Sequence, residues 1–407
     1  LSTNDERCSD NNKISREIML RQSLASLADN FSAPYMGYYL AALSGSGVLQ
    51  GILQFSVNSM PTTAQVFLGP VIDRVGRYIL FLLTTSVAAS ILWIIISLII
   101  DPVALVGVYT LRAVVVGLAG LAFTSFIGVF FVDAYLRSRV LSLVTLLSQA
   151  TALLAFLIVA FIINPSIDQL RIIFIFSGVI SLAGSLIWIR LLYIDNCMER
   201  SQSIPSIWRV FKEIIRNKTF IKFDLAFSGY IFVMSFAWPY FPVAQRNLYK
   251  MSVAELAILN ILGTLSTMIF QYILMKIIPR ASLKKLIIIS RLGFLIPPFA
   301  YAFSPNIEMI YLSNILVGPF SAIGNVVITL YVYEVSVKNL QASHLAFLNF
   351  SQGIAAAIGS ILGGVLMDRF VASYGVDGLR IGFIISTILR GVMTIPFIKT
   401  EDIRIRR

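Results

Sequence analysis

Two ionisable residues lie where a largely apolar chain can least accommodate them. Asp29 stands in SLADNFSAPYM, about midway along one apolar stretch, and Arg112 stands in another, YTLRAVVVGL. A lone charge at the centre of a bilayer costs roughly 2.5–3.5 kcal/mol even on a lenient scale, so such residues usually pair and usually work. A carboxylate and a guanidinium in one pocket make a protonation switch. The acid takes up a proton, and the released Arg engages a solute or lets helices reorganise. The competing reading is a static structural ion pair. Other buried-looking charges read more plainly. Arg291 and Arg390 lie a turn or two from a span edge, where long cationic side chains snorkel to the surface. Asp224 lies similarly close to the start of its span. His344, the only histidine, has no Cys or carboxylate company, so no metal site is expected.

These residues need elements to hold them. The chain is 57% hydrophobic and only 13% charged, about half the charge of a soluble domain. A membrane-spanning helix needs about 20 mostly apolar residues. Such runs fall at about 18–42, 45–68, 78–100, 103–132, 140–163, 171–194, 219–243, 252–275, 284–303, 308–333, 342–367 and 379–398. They do not alternate with the period of two that a β-barrel requires. The fold class is therefore an all-α, multi-pass membrane protein with twelve transmembrane helices.

The net charge of +12 invites a nucleic-acid reading, but its distribution argues otherwise. With an even span count, one side takes Arg7, Lys13, Arg16, Arg21, Arg74, Arg77, Arg137, Arg139, the middle loop, Lys276 to Lys285, Lys338 and the C-terminus. The other takes only Arg171, Arg246, Lys250, Arg369 and Arg380. The richer side is cytoplasmic, which places both termini there and makes the basicity a topology signal, with no nucleic-acid partner implied. Cys8 and Cys197 then share the reducing side, so a structural disulfide is not expected. No cleavable signal peptide is read at the start of the sequence.

The longest polar stretch, about 195–218, divides the spans six and six. The expected organisation is a bundle over 1–194, a cytoplasmic linker over 195–218 and a second bundle over 219–407. Within the linker, Ile207, Val210, Phe211 and Ile214 fall at helical spacing beside Arg209, Lys212 and Arg216. That pattern fits a short amphipathic surface helix or a plain solvated linker. The halves repeat: Asp168-Gln-Leu-Arg171 recurs as Asp377-Gly-Leu-Arg380, and Gln65 is matched by Gln271. Polar stripes mark spans 2, 5, 8, 10 and 11, through Gln50, Gln54, Asn58, Gln149, Asn260, Asn314, Asn325, Asn349 and Gln352, with Asn30 in span 1. Spans 3, 6, 9 and 12 hold no Asn or Gln. Stripes of this kind face either partner helices or a shared aqueous cavity. Tyr230 in span 7 is a further candidate to meet a solute.

Residues 69–78, GPVIDRVGRY, form a charged turn between two apolar runs. The pattern Gly69, Asp73, Arg74, Gly76, Arg77 resembles the signature between helices 2 and 3 of the major facilitator superfamily. Asp133-Ala-Tyr-Leu-Arg-Ser-Arg139 and Gly363-Gly364-Val-Leu-Met-Asp368-Arg369 resemble the family's turns after spans 4 and 11. The resemblance implies two six-helix bundles related by a pseudo-two-fold axis along the membrane normal. It makes Asp73, Arg77 and Asp133 gating residues, with Gly69, Arg74, Gly76 and Arg139 in the same loops. It leaves each third helix at the periphery. It also places spans 1 and 4 side by side, where an acid and an Arg are a known proton-coupling arrangement. The span-5 signature of drug/proton antiporters and the sugar-porter signatures are missing, so no subfamily follows.

The expected function is a secondary transporter, not an enzyme: no nucleotide-binding loop, catalytic triad or metal cluster is present, and no cofactor is implied. Its solute would be a small polar molecule, sugar-like or a small organic anion, moved by alternating access with protons. The partners are that solute, protons and the lipid bilayer of the cell membrane, with the protein a monomer. The rivals are a proton-driven exporter and a non-transporting relative acting as receptor or subunit.

Overall fold

A computed structural model describes residues 11–65, 75–131, 133–163, 165–196, 207–278, 281–336 and 340–402. Among them the regular elements are helical. They run α1 (Asn11–Leu43), α2 (Gly47–Asn58), α3 (Tyr78–Leu98), α4 (Pro102–Phe130), α5 (Ala134–Leu157), α6 (Leu170–Ser185), α7 (Lys218–Phe236), α8 (Val253–Ile277), α9 (Leu283–Gly293, resuming at Ile296–Phe303), α10 (Ile307–Val335), α11 (Gln341–Tyr374) and α12 (Gly378–Val392). Nine stretches of the described residues are long and apolar enough to cross a membrane. Cys8, Cys197, Gly69, Asp73 and Arg74 lie outside the described residues.

Polar caps start several helices. Asp101 accepts the Ala104 N–H ahead of Pro102 in α4, Ser252 and Glu255 form a reciprocal capping box on α8, and Asn306 accepts from Met309 on α10. Each satisfies amides that a helix start leaves without partners.

The chain divides into two compact units, residues 1–39 with 60–204, and residues 40–59 with 205–407. The first is built on a core of Ile79, Phe126, Trp188 and Ile194; the second on Phe220, Phe223, Tyr331 and Phe397. The linker helix Ile207–Arg216 buries Ile214 in that second core. Residues 40–59 join the second unit because α2 packs closely on α11. A Cβ at Gly47 would fall 2.3 Å from the Gly364 carbonyl oxygen, so only glycine permits the approach. The Asp368 carboxylate, at the same crossing, accepts from the Gly47 and Val48 N–H groups over 2.5 and 3.1 Å. An acid there favours the positive end of the α2 dipole.

The sequence repeat has a structural counterpart in both units. Arg171 donates to the Ser97 carbonyl at the end of α3, and Arg380 donates to the Ala302 carbonyl at the end of α9. At the opposite ends, Asp195 accepts from the Ile79 and Leu80 amides that open α3, while Asp402 accepts from Ser282, the cap of α9. In each unit, therefore, a helix interior to the repeat is tied at both ends by charges from its neighbour. Beside Arg380, burial raises the Tyr249 hydroxyl above the usual tyrosine range, so it stays a donor to the Tyr301 carbonyl at 2.9 Å.

Candidate functional site

The first unit encloses a cavity of about 250 Å³. One face of α1 supplies Arg21, Gln22, Ala25, Ser26 and Asp29; α4 supplies Arg112, Val116, Ala119, Gly120 and Phe123. The remaining wall comes from Ser86 and Ala89 of α3, Val144 and Ser148 of α5, and Ser181 of α6. The expectation that spans 3 and 6 are peripheral fails for this cavity. Their serines and small residues wall it, and a search for Asn and Gln alone does not see them.

Asp29 and Arg112 meet here. An Arg112 Nη hydrogen donates to Asp29 Oδ1 in a direct ion pair. The Trp93 indole N–H donates to the same oxygen over 3.2 Å, and its ring lies under the guanidinium with Cζ 4.1 Å from the centroid. Trp93 is itself fixed by stacking on Phe174 at 5.6 Å. One tryptophan thus orients both charges, by a hydrogen bond to the anion and by its π face to the cation. The two partners differ in exposure: the Arg112 side chain is 7% accessible and that of Asp29 is 39%. The acid faces open space in the cavity while the base is sunk in the wall.

Arg21 is the residue to which sequence reasoning gave no role at the site. Counted as a cytoplasmic loop charge, it lies within α1, which begins at Asn11, well ahead of the apolar run. Its guanidinium lines the cavity and donates to Ser86 Oγ at 2.5 Å and to Gln22 Oε1 at 2.6 Å. The Trp188 ring lies 5.2 Å from its Cζ.

Of the other polar positions singled out in the sequence, none lines this cavity. Asn30 donates to the Ser26 carbonyl, Asn58 to that of Gln54, Asn260 to that of Leu256 and Asn314 to that of Ile310. Each amide is thus bonded back along its own helix. Gln50 is fully buried; Gln149 and Gln352 are half-buried; Asn325 and Asn349 are exposed on the chain. Tyr230 is buried in the second unit's core and donates to the Arg291 carbonyl over 2.7 Å. In the gating turns, Gly76 takes a positive φ of 63°, Arg77 is exposed just before α3, and Asp133 and Arg139 are exposed around the start of α5.

Three charges expected near the surface are buried instead. Arg291 and Arg390 are 3% and 2% exposed, and Asp224 is 4% exposed. The Arg390 guanidinium donates to the Phe294 and Met234 carbonyls, at the interruption of α9 and near the end of α7. The Arg291 group sits among the rings of Phe227, Tyr230 and Phe294 at 5.0–5.1 Å. Asp224 accepts from Ser351 on α11 at 2.5 Å. Snorkelling needs a path to water. Here carbonyls freed by broken helices and a ring of aromatic faces provide nearer partners.

The sequence profile described as Major Facilitator Superfamily matches residues 223–404. Solved structures that share the fold cover nearly the whole chain. The nucleoside transporter NupG superposes with a TM-score of 0.72 at 15% identity, covering 95% of this chain and 98% of that one. A bacterial homolog of the human lysosomal transporter Spinster, in an inward-facing and unoccupied conformation, gives 0.74 at 13% identity, with 98% of each chain covered. The profile match lies in the second half of the chain, and the fold of these solved structures spans nearly all of it. A D-xylose–proton symporter also shares the fold, with a TM-score of 0.66 at 13% identity over 96% of this chain and 99% of that one. A search of curated proteins finds no match to this sequence. The profile match, the shared fold and the apolar helices make this a multi-pass membrane protein with the fold of those transporters.

Proposed function

We propose that this chain is a secondary transporter of the major facilitator superfamily that carries a small polar solute by alternating access, driven by protons through Asp29 and Arg112. The observation that carries the reading is the ion pair at the cavity wall, with its acid accessible and its base sunk. A proton arriving through the cavity meets Asp29 first. Protonation removes the Coulombic tie, and Arg112 keeps the Trp93 ring while gaining freedom to bind an acceptor on the solute. Loss of the proton restores the pair and competes the solute away. Solute and proton then bind together and leave together, which is symport. The charge bias of the loops supports cytoplasmic termini and entry from the opposite side.

The test is uptake into proteoliposomes across an imposed pH gradient, with a labelled panel of small sugars and organic acids. Asp29→Asn abolishes gradient-driven accumulation but retains exchange of solute between compartments of equal pH. Gradient-driven accumulation undiminished in this variant removes Asp29 from the coupling.

A further inference from the structure

The charges around the cavity do not cancel. Two guanidiniums and one carboxylate line it, and the carboxylate is engaged by Arg112. Among the described residues Arg21 forms no ion pair; its Nη groups donate only to the neutral oxygens of Ser86 and Gln22. Its Nε is buried without any acceptor. The nearest acid along α1 on its other side, Glu17, is paired with Arg190. Arg21 is half-buried and its one acidic neighbour in the cavity lining, Asp29, is already engaged by Arg112, so the wall carries a net positive charge that suits a mobile anion.

From this we infer that the solute is a small hydroxylated organic monoanion, and that Arg21 is the fixed anchor for its carboxylate. The inference rests on the transporter reading above and gives it a substrate class. Three features select that chemistry. The uncompensated charge is single, which matches one carboxylate. The guanidinium fork meets a planar carboxylate through two parallel N–H donors, which a neutral hydroxyl cannot reproduce. The serines 26, 86, 148 and 181 are donors and acceptors for hydroxyls, and a 250 Å³ volume lies below the about 300–1,000 Å³ of sites for drug-sized ligands. Arg21 holds the anion by displacing Ser86 or Gln22. Protonation of Asp29 then frees Arg112 as a second donor group, so the anion and the proton reinforce each other's binding. One anion with one proton crosses without net charge, while Arg21 stays in place throughout.

Thermal unfolding of the detergent-purified full-length protein tests this with matched pairs: glycolate, lactate, glycerate and D-gluconate, each against its primary amide, with D-glucose and inorganic phosphate added. At least one carboxylate raises the unfolding temperature, and its amide does not. Arg21→Gln lowers the apparent affinity for that carboxylate about ten-fold or more and erases the preference over the amide, the loss expected for a charged hydrogen bond. Arg21→Lys, which keeps the charge and guards against misfolding, retains part of it. Equal stabilisation by amides or glucose overturns the inference, as does phosphate alone, stabilisation by nothing in the panel, or a carboxylate preference that survives Arg21→Gln. Failure of the coupling reading looks different: carboxylate preference and its loss in Arg21→Gln remain, but Asp29→Asn leaves binding equally dependent on pH.

Discussion

Both units bury arginines against aromatic rings, yet they bond them to different kinds of acceptor. In the first unit Arg112 meets a side-chain carboxylate. In the second, Arg390 meets two backbone carbonyls and Arg291 lies among the rings of Phe227, Tyr230 and Phe294, with no carboxylate at either among the described residues. On the proposed reading the first arrangement has two states, because a proton on Asp29 would cancel one member of the pair. The second has one state and ties α12 to α7 and α9. On that reading a buried charge is a switch or a staple according to its partner, not its depth.

The largest effect should come from cutting the staple. Arg390→Met removes two charged hydrogen bonds, worth about 1.5–3 kcal/mol each, and leaves the Met234 carbonyl, among the described residues, only the 3.4 Å bond from the Ala237 N–H. Thermal unfolding in detergent should fall well below that of the parent protein, and an unchanged midpoint would remove the distinction. A middle-sized effect is expected at Asp224. Ser351→Ala removes its only hydrogen-bond donor among the described residues and should cost about 1.5–3 kcal/mol in the same assay. The smallest effect on stability belongs to the switch. The double change Asp29→Asn with Arg112→Gln removes both charges together, and such neutral replacements of buried pairs are often close to neutral. Its unfolding midpoint should stay within about 1 kcal/mol of the parent protein's while accumulation driven by protons disappears.

Asp29 and Arg112 were legible in the sequence because charge at membrane depth is expensive and therefore conspicuous. The repeat was legible too: the match of Arg171 to Arg380 reappears as the same bond to the end of the preceding third helix. Arg21 was not. Sorted by charge it joins the cytoplasmic residues, although it falls at the start of the 18–42 run, and only the packing of α1 shows that its side chain lines the cavity. The amide stripes misled for a related reason, since an Asn on a helix can bond a carbonyl one turn back, as Asn260 and Asn314 do, and need not face water. Snorkelling at Arg291 and Arg390 failed because the acceptors there arise from helix breaks, which the sequence marks only by Gly293 and Pro297-Pro298.

The claim that the first unit holds a protonation switch is tested most directly by infrared difference spectroscopy of the carboxyl group as pH is lowered. The wild-type protein should gain a protonated-carboxyl band that is missing from Asp29→Asn, and the band should grow when a bound solute occupies Arg112. Identical spectra for the two proteins across the range in which transport is active would mean that Asp29 stays ionised, and the pair would then be a staple as well.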